Sequence, residues 1–177
     1  SVLCEQQRLD EAAVVYKEAL AGHRATLGGQ HPSTLHMMNS FAVLQARQGN
    51  LNEAEALMRE ALEGTVGDIY SDRLLYMSNL GSFLREQGKP DEGEQLLRAA
   101  LAEHRSSTAT TLRDCGFDAL QNINNLSLVA ADTGDMEQAE ALSREALAGM
   151  RAKRGDRNAK TLEYVSNLAG ILHTRGK

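Results

Sequence analysis

The chain has no tryptophan, and only three phenylalanines, four tyrosines, two prolines and two cysteines among 177 residues. Each scarcity excludes something. Without a Pro- or Ser/Gly-rich stretch there is no visible linker, so one domain is expected. Cys4 and Cys115 stand alone, with no CxxC and no clustered histidines. A disulfide framework and a zinc site are therefore not expected, both thiols read as small buried hydrophobes, and a reducing compartment, such as the cytoplasm, fits. No apolar run approaches the roughly 20 residues that cross a bilayer, so no membrane insertion is expected. The first residues carry no signal-peptide pattern. Positive charge is also lacking: the net charge is −5, and the basic residues are scattered without interleaved aromatics. A nucleic-acid surface needs a positive field, so no nucleic-acid partner is expected.

The signatures of catalysis are missing as well. The histidines, His23, His31, His36, His104 and His173, show no HExxH or related metal spacing. GxxxxGK[ST], GxGxxG and GxSxG do not occur. The expectation is no enzyme, no catalytic residue, no cofactor and no metal.

What the chain has is a repeated phrase. "NLNEAEALMREAL" (50–62) returns as "DMEQAEALSREAL" (135–147), with weaker copies "KPDEGEQLLRAAL" (89–101) and "RLDEAAVVYKEAL" (8–20). Anchored five residues before the Ala of each copy, the frame falls on Gln7, Gly49, Gly88 and Gly134, and Gly176 continues it. The spacings are 42, 39, 46 and 42 residues, the variation that loop insertions produce. Within the phrase, Ala54, Leu57, Met58, Ala61 and Leu62 fall at i, i+3, i+4, i+7 and i+8, one face of a helix. The other copies place Ala12, Val15, Tyr16, Ala19, Leu20, then Gly93, Leu96, Leu97, Ala100, Leu101, then Ala139, Leu142, Ser143, Ala146, Leu147 there. Small residues at the first and fourth positions predict close approach of a neighbouring helix. This is helix B.

Helix A comes before each glycine: "HMMNSFAVLQARQG" (36–49), "LYMSNLGSFLREQG" (75–88), "QNINNLSLVAADTG" (121–134) and "EYVSNLAGILHTRG" (163–176). Its packing stripes are Met38, Phe41, Ala42; Met77, Leu80, Gly81, Leu84; Ile123, Leu126, Ser127, Ala130; and Val165, Leu168, Ala169, Leu172. Gly49, Gly88 and Gly134 are expected to end helix A in a left-handed turn. Pro90 suits the first turn of its helix B, and His31 should cap or pack beside Pro32.

These residues resemble the tetratricopeptide (TPR) pattern of antiparallel helix pairs, "N-L-G/A…G-x-x-x-E-A…A-L". The period near 42, with "LGGQHPSTL" (27–35) and "RGDRNAKTL" (154–162) between repeats, resembles the kinesin-light-chain type. The stretches 63–72 and 102–118 depart from that linker. The resemblance implies an all-α, right-handed superhelical solenoid of about nine helices in a single array over 1–177. Its parts are a partial repeat 1–27, repeats near 33–66, 71–106 and 119–153, and a partial repeat 158–177. Residues 1–6 read as the tail of a helix A. With no polar capping helix at either end, the chain reads as a segment of a longer array, or as one whose uncapped ends stack on neighbouring repeats or subunits.

The resemblance further implies a non-catalytic scaffold that takes a protein or extended peptide along a concave face lined by helix A. The groove candidates lie off the packing stripe. They are His36, Asn39, Ser40 and Arg47 in the first helix A, then Ser78, Asn79, Ser82 and Arg85. Gln121, Asn124 and Asn125, then Glu163, Asn167 and His173, follow in the other two. Asn79, Asn125 and Asn167 recur at one position, with Ser40 in the remaining repeat. Such amides can grip a peptide backbone or tie one helix to the next, and both readings stand. Repeats that clamp a C-terminal carboxylate carry Lys two positions into helix A; here His36, Leu75, Gln121 and Glu163 stand there, so that clamp is absent. Two other roles compete with the peptide groove: a structural subunit docked through its convex face or loops, and a regulatory arm of a larger signalling or NTPase protein.

Overall fold

The computed structural model describes residues 2–65, 70–107 and 117–176, with side chains left aside at 2–6, 70–71, 104–107 and 117–118. Among these residues there are eight helices and no strand: α1 (Val2–Leu27), α2 (Pro32–Arg47), α3 (Leu51–Gly64), α4 (Tyr70–Glu86), α5 (Pro90–Ser107), α6 (Phe117–Asp132), α7 (Met136–Arg154) and α8 (Ala159–Arg175). They divide into two compact units, Ser1–Gln87 and Gly88–Lys177. In the first, α1 packs on α2, α2 on α3 and α3 on α4, and α2 also meets α4. In the second, α5 packs on α6, α6 on α7 and α7 on α8, and α6 also meets α8. Helices α2, α4, α6 and α8 are the A helices; α1, α3, α5 and α7 are the B helices.

The count differs by one from the expected nine because α1 runs unbroken from Val2 to Leu27. Gln7 stands where the later repeats have glycine, so nothing there turns the chain left-handed. Gly49, Gly88 and Gly134 do turn it, at φ of 82°, 77° and 88°. At Gly49 the exit is a Schellman arrangement: Gly49 N–H donates to the Ala46 carbonyl and Asn50 N–H to the Gln45 carbonyl, both at 2.9 Å. His31 caps α2, its ring nitrogen accepting from Ser33 N–H at 3.1 Å, with Pro32 as the first helical residue. Pro90 opens α5. α5 also runs on to Ser107, into the stretch read as linker, because residues 102–107 contain no helix breaker. Cys4 and Cys115, the latter within 108–116, lie outside the described side chains.

The small positions of helix B are packed. Ala54, Ala61, Ala100, Ala139 and Ala146 are fully buried. A further small position, ten residues after the first, went unrecognised in the sequence. A Cβ at Gly64 would lie 2.6 Å from a methyl of Leu35, and one at Gly149 would collide with a methyl of Leu120. Leu35 and Leu120 open the apolar stripes of α2 and α6 and are themselves buried. Each leucine sits on a glycine of the helix B that follows it. In the second unit, Leu97, Leu101, Leu120, Ile123, Leu126, Val129, Ala146, Leu147, Met150 and Tyr164 then form one apolar cluster.

The B helices carry the same charge pair in three copies: Glu55–Arg59, Glu94–Arg98 and Glu140–Arg144, each four residues apart. Glu140 is also reached by Arg175 from the end of α8. Hydrogen bonds from Arg144 and then Arg175 hold its carboxyl below the ordinary value of 4.5.

Two outcomes follow from this packing. Gly149→Val and Ala146→Leu should each cost roughly 1–3 kcal/mol in urea unfolding by overfilling the seam. Gly170→Ala, in α8 where nothing lies within 4 Å of an added Cβ, should instead gain up to about 1 kcal/mol. The second outcome concerns acid. Because the folded pKa of Glu140 is lowered, its contribution is complete at neutral pH and is lost as pH falls through the range below 4.5. Glu140→Gln should therefore be less stable than the parent at pH 7, and the two unfolding curves should converge in acid.

Candidate partner-binding face

The first unit carries an open pocket of about 370 Å³ lined by Tyr16, Asn39, Ser40, Val43, Leu44 and Arg47. Asn39, Ser40 and Arg47 are three of the groove candidates, and α2 brings them to one wall together with Val43. The opposite wall is Tyr16 of α1. Its ring stacks on Phe41 of α2, with centroids 6.0 Å apart and planes 8° from parallel. Stacking fixes the aromatic wall without spending the hydroxyl. Sequence reasoning placed Tyr16 on the packing stripe and so missed it. The available signal was its type, since the equivalent positions hold Met58, Leu97 and Ser143. Arg47 ends α2, exposed, and has no ion-pair partner among the described residues. The pocket thus offers an aromatic wall, a hydroxyl, an amide and an exposed cation.

Beside the pocket, α2 meets α4 through a row of polar groups. His36 Nε2 lies 3.2 Å from Asp72 Oδ2, and its Nδ1 lies 3.5 Å from the Tyr76 hydroxyl. The two rings meet edge-on, 6.2 Å between centroids. Burial, and then the charge of Asp72, push the Tyr76 hydroxyl up to about 12, so it stays neutral and can donate. One helical turn on, Asn79 Nδ2 donates to Asn39 Oδ1 at 2.7 Å. The second unit repeats this bridge between α8 and α6: Asn167 Nδ2 donates to Asn124 Oδ1 at 3.1 Å.

The remaining candidates divide by burial. Ser78 and Asn124 are buried, at 0% and 3% exposed, between packed helices. Asn79, Ser82, Arg85, Gln121, Asn125 and Asn167 are half-buried. His36, Ser40, Glu163 and His173 are exposed, and Glu163 is paired with Lys160 at 2.9 Å. Among the described residues, no three His, Cys, Asp or Glu side chains gather to hold a metal ion, and no helix is long and apolar enough to cross a membrane.

Family models described as "Tetratricopeptide repeat" match residues 1–65, 73–107 and 123–158. Several solved structures share the fold. BtubC (BKLC) from P. vanneervenii is 19% identical with a TM-score of 0.77, covering 94% of this chain and 66% of its own. The putative kinesin light chain TPR-like repeats of Podosopora anserina are 20% identical with a TM-score of 0.71, covering 97% and 82%. PcrH from Pseudomonas aeruginosa is 15% identical with a TM-score of 0.54, covering 80% and 94%. The chain thus spans just under two thirds of the length of BtubC. No curated protein matches this sequence.

The asparagine bridge has a measurable energy. A double-mutant cycle on Asn39→Ala and Asn79→Ala should show a coupling of roughly 0.5–1.5 kcal/mol in chemical unfolding. A coupling indistinguishable from zero would mean that the bridge adds nothing to the α2–α4 contact.

Proposed function

The chain belongs to the tetratricopeptide-repeat family, and on that premise we propose that it is a non-catalytic scaffold that binds a partner protein as an extended peptide along the helix-A face. The pocket between α1 and α2 is the anchor. The observation that carries this reading is the convergence there of Asn39, Ser40, Val43 and Arg47 opposite Tyr16. An amide and a hydroxyl can pair with a peptide backbone, the tyrosine and valine can hold an apolar side chain, and Arg47 selects a neighbouring carboxylate.

The asparagines do double duty in this reading. Asn79 spends one N–H on Asn39, and Asn167 spends one on Asn124. Asn167 has a second N–H and a carbonyl, so its bridge to Asn124 leaves capacity for a ligand. A partner that takes those bonds binds a face already held in place, which lowers the entropy lost on binding.

The test is selection of peptides from a random display library on the parent chain, followed by anisotropy with the winning sequence. Peptides with an acidic residue beside an apolar or aromatic one should be enriched. Arg47→Glu should weaken the winner at least about tenfold, and the loss should shrink in high salt. Ser40→Tyr, at an exposed position, should block the pocket without unfolding the chain. Enrichment of peptides that bind both variants as tightly as the parent would remove the pocket from recognition.

A further inference from the structure

Positive charge, spread thinly elsewhere in the chain, gathers once. Arg151, Lys153, Arg154, Arg157 and Lys160 fall within ten residues, with Asp156 as the single acid among them. Five cations against one acid make that stretch net +4 in a chain of net charge −5, so the rest of the chain carries −9. The stretch lies wholly within the second unit, over the last turn of α7, the connection and the first turn of α8. Residues 151–157 are all exposed.

The fold does not ask for this charge. The connection from α1 to α2 has the same build. Gly28 and Gly155 turn at φ of 89° and 76°. His31 and Asn158 each cap the helix that follows, accepting from the backbone N–H two residues on. Yet the matching stretch, 24–33, carries one cation, Arg24, and Glu60 holds it at 2.6 Å. Cations at the end of α7 complement the dipole of that helix, but cations at the start of α8 oppose one. Arg157 stands beside the N-cap and Lys160 in the first turn, which contains no acid. α3, α4, α5 and α7 begin with acids instead: Glu53, Asp72, Asp91 and Glu137. Lys160 is balanced by Glu163 at 2.9 Å, and Arg151 by Asp156 at 2.8 Å. Lys153 and Arg157 have no ion-pair partner among the described residues. A local rule broken without local compensation marks a place that answers to something outside the fold.

We propose that the α7–α8 connection is a docking surface for a short acidic segment of a partner protein, separate from the pocket on α2. The occupant follows from the charge and from what accompanies it. Arginine forks match carboxylates with paired hydrogen bonds. Arg157 and Lys153 make the first contacts, and the exposed Arg151–Asp156 pair can exchange its carboxylate for one of the partner's. A nucleic acid fits less well. The aromatic nearest in sequence, Tyr164, is 1% exposed, so no base can stack on it. A long polyanion would also run past the patch into the field of a chain that is otherwise −9. A short run of carboxylates stays within about one Debye length of the cations, roughly 10 Å in 0.1 M salt.

The test is anisotropy of a labelled hexaglutamate peptide titrated with the whole chain at low salt. Hexaglutamine serves as the neutral control, and a hexathymidine oligonucleotide as the competing polyanion. Hexaglutamate should bind saturably, more tightly than hexathymidine, and weaken as salt rises; hexaglutamine should not bind. The double variant Lys153→Glu, Arg157→Glu should keep the parent's circular dichroism and weaken hexaglutamate at least about tenfold. Arg157→Gln alone removes a cation from the head of α8, so it should be at least as stable as the parent and still bind more weakly. A purely structural role would not give that combination. Arg47→Glu, in the pocket on α2, should leave hexaglutamate binding unchanged, so this surface and the pocket stand or fall separately. No saturable binding by the parent overturns the proposal, as does equal binding by the double variant. Tighter binding of hexathymidine would assign the surface to nucleic acid and overturn it. Loss of hexaglutamate with Arg47→Glu in place of the double variant would move acidic recognition to α2 and overturn it too.

Discussion

The structure depends on how closely a helix A and the next helix B can approach. Ala54, Ala61, Ala139 and Ala146 bring the backbones together, and Gly64 and Gly149 let Leu35 and Leu120 pass over them. Close approach maximises dispersion contacts along the seam and excludes water from it. It also fixes the register, because a leucine that fits only over a glycine cannot slide by a turn. With aromatics at 4% of the chain, few large rings are available to fill a wider gap. Methyl-to-backbone contact at small residues takes their place.

Register along the seam aligns the polar rows beside it. Once α2 is set on α3 and α3 on α4, Asn39 and Asn79 come within 2.7 Å, and His36 comes to Asp72 and Tyr76. The second unit reaches the same bridge with Asn124 and Asn167. These contacts join A helices that are neighbours without being consecutive. They set the spacing of the A helices within each unit. A surface built this way is rigid to the extent that its seams are, since each amide is held by a partner on another helix.

The same rule accounts for what is exposed. An apolar stripe on a repeat helix is half of a seam and stays wet until a matching helix covers it. On α2 and α6 that helix is the next in the chain; on α8, Leu162, Val165 and Leu172 remain in solvent. At a position that is Met58 or Leu97 elsewhere, the Tyr16 ring stacks on Phe41 and lines the pocket beside it.

Much of the fold was written in local pattern. The Gly49, Gly88 and Gly134 turns, the His31–Pro32 start of α2, Pro90 at the head of α5 and the alanine face of helix B need only near neighbours, and so the sequence by itself determined them. It also determined which residues share a helix face. It did not determine what lies against that face, because the deciding contacts join residues some 40 positions apart: Asn39 with Asn79, Asn124 with Asn167. Only the tertiary structure decided that Ser78 and Asn124 are buried and that Tyr16 forms a wall. It alone showed that Gly64 and Gly149 are leucine seats, and that Gln7 leaves α1 unbroken. Periodicity gives direction around a helix axis; burial depends on whether a second helix stands in that direction, and how near.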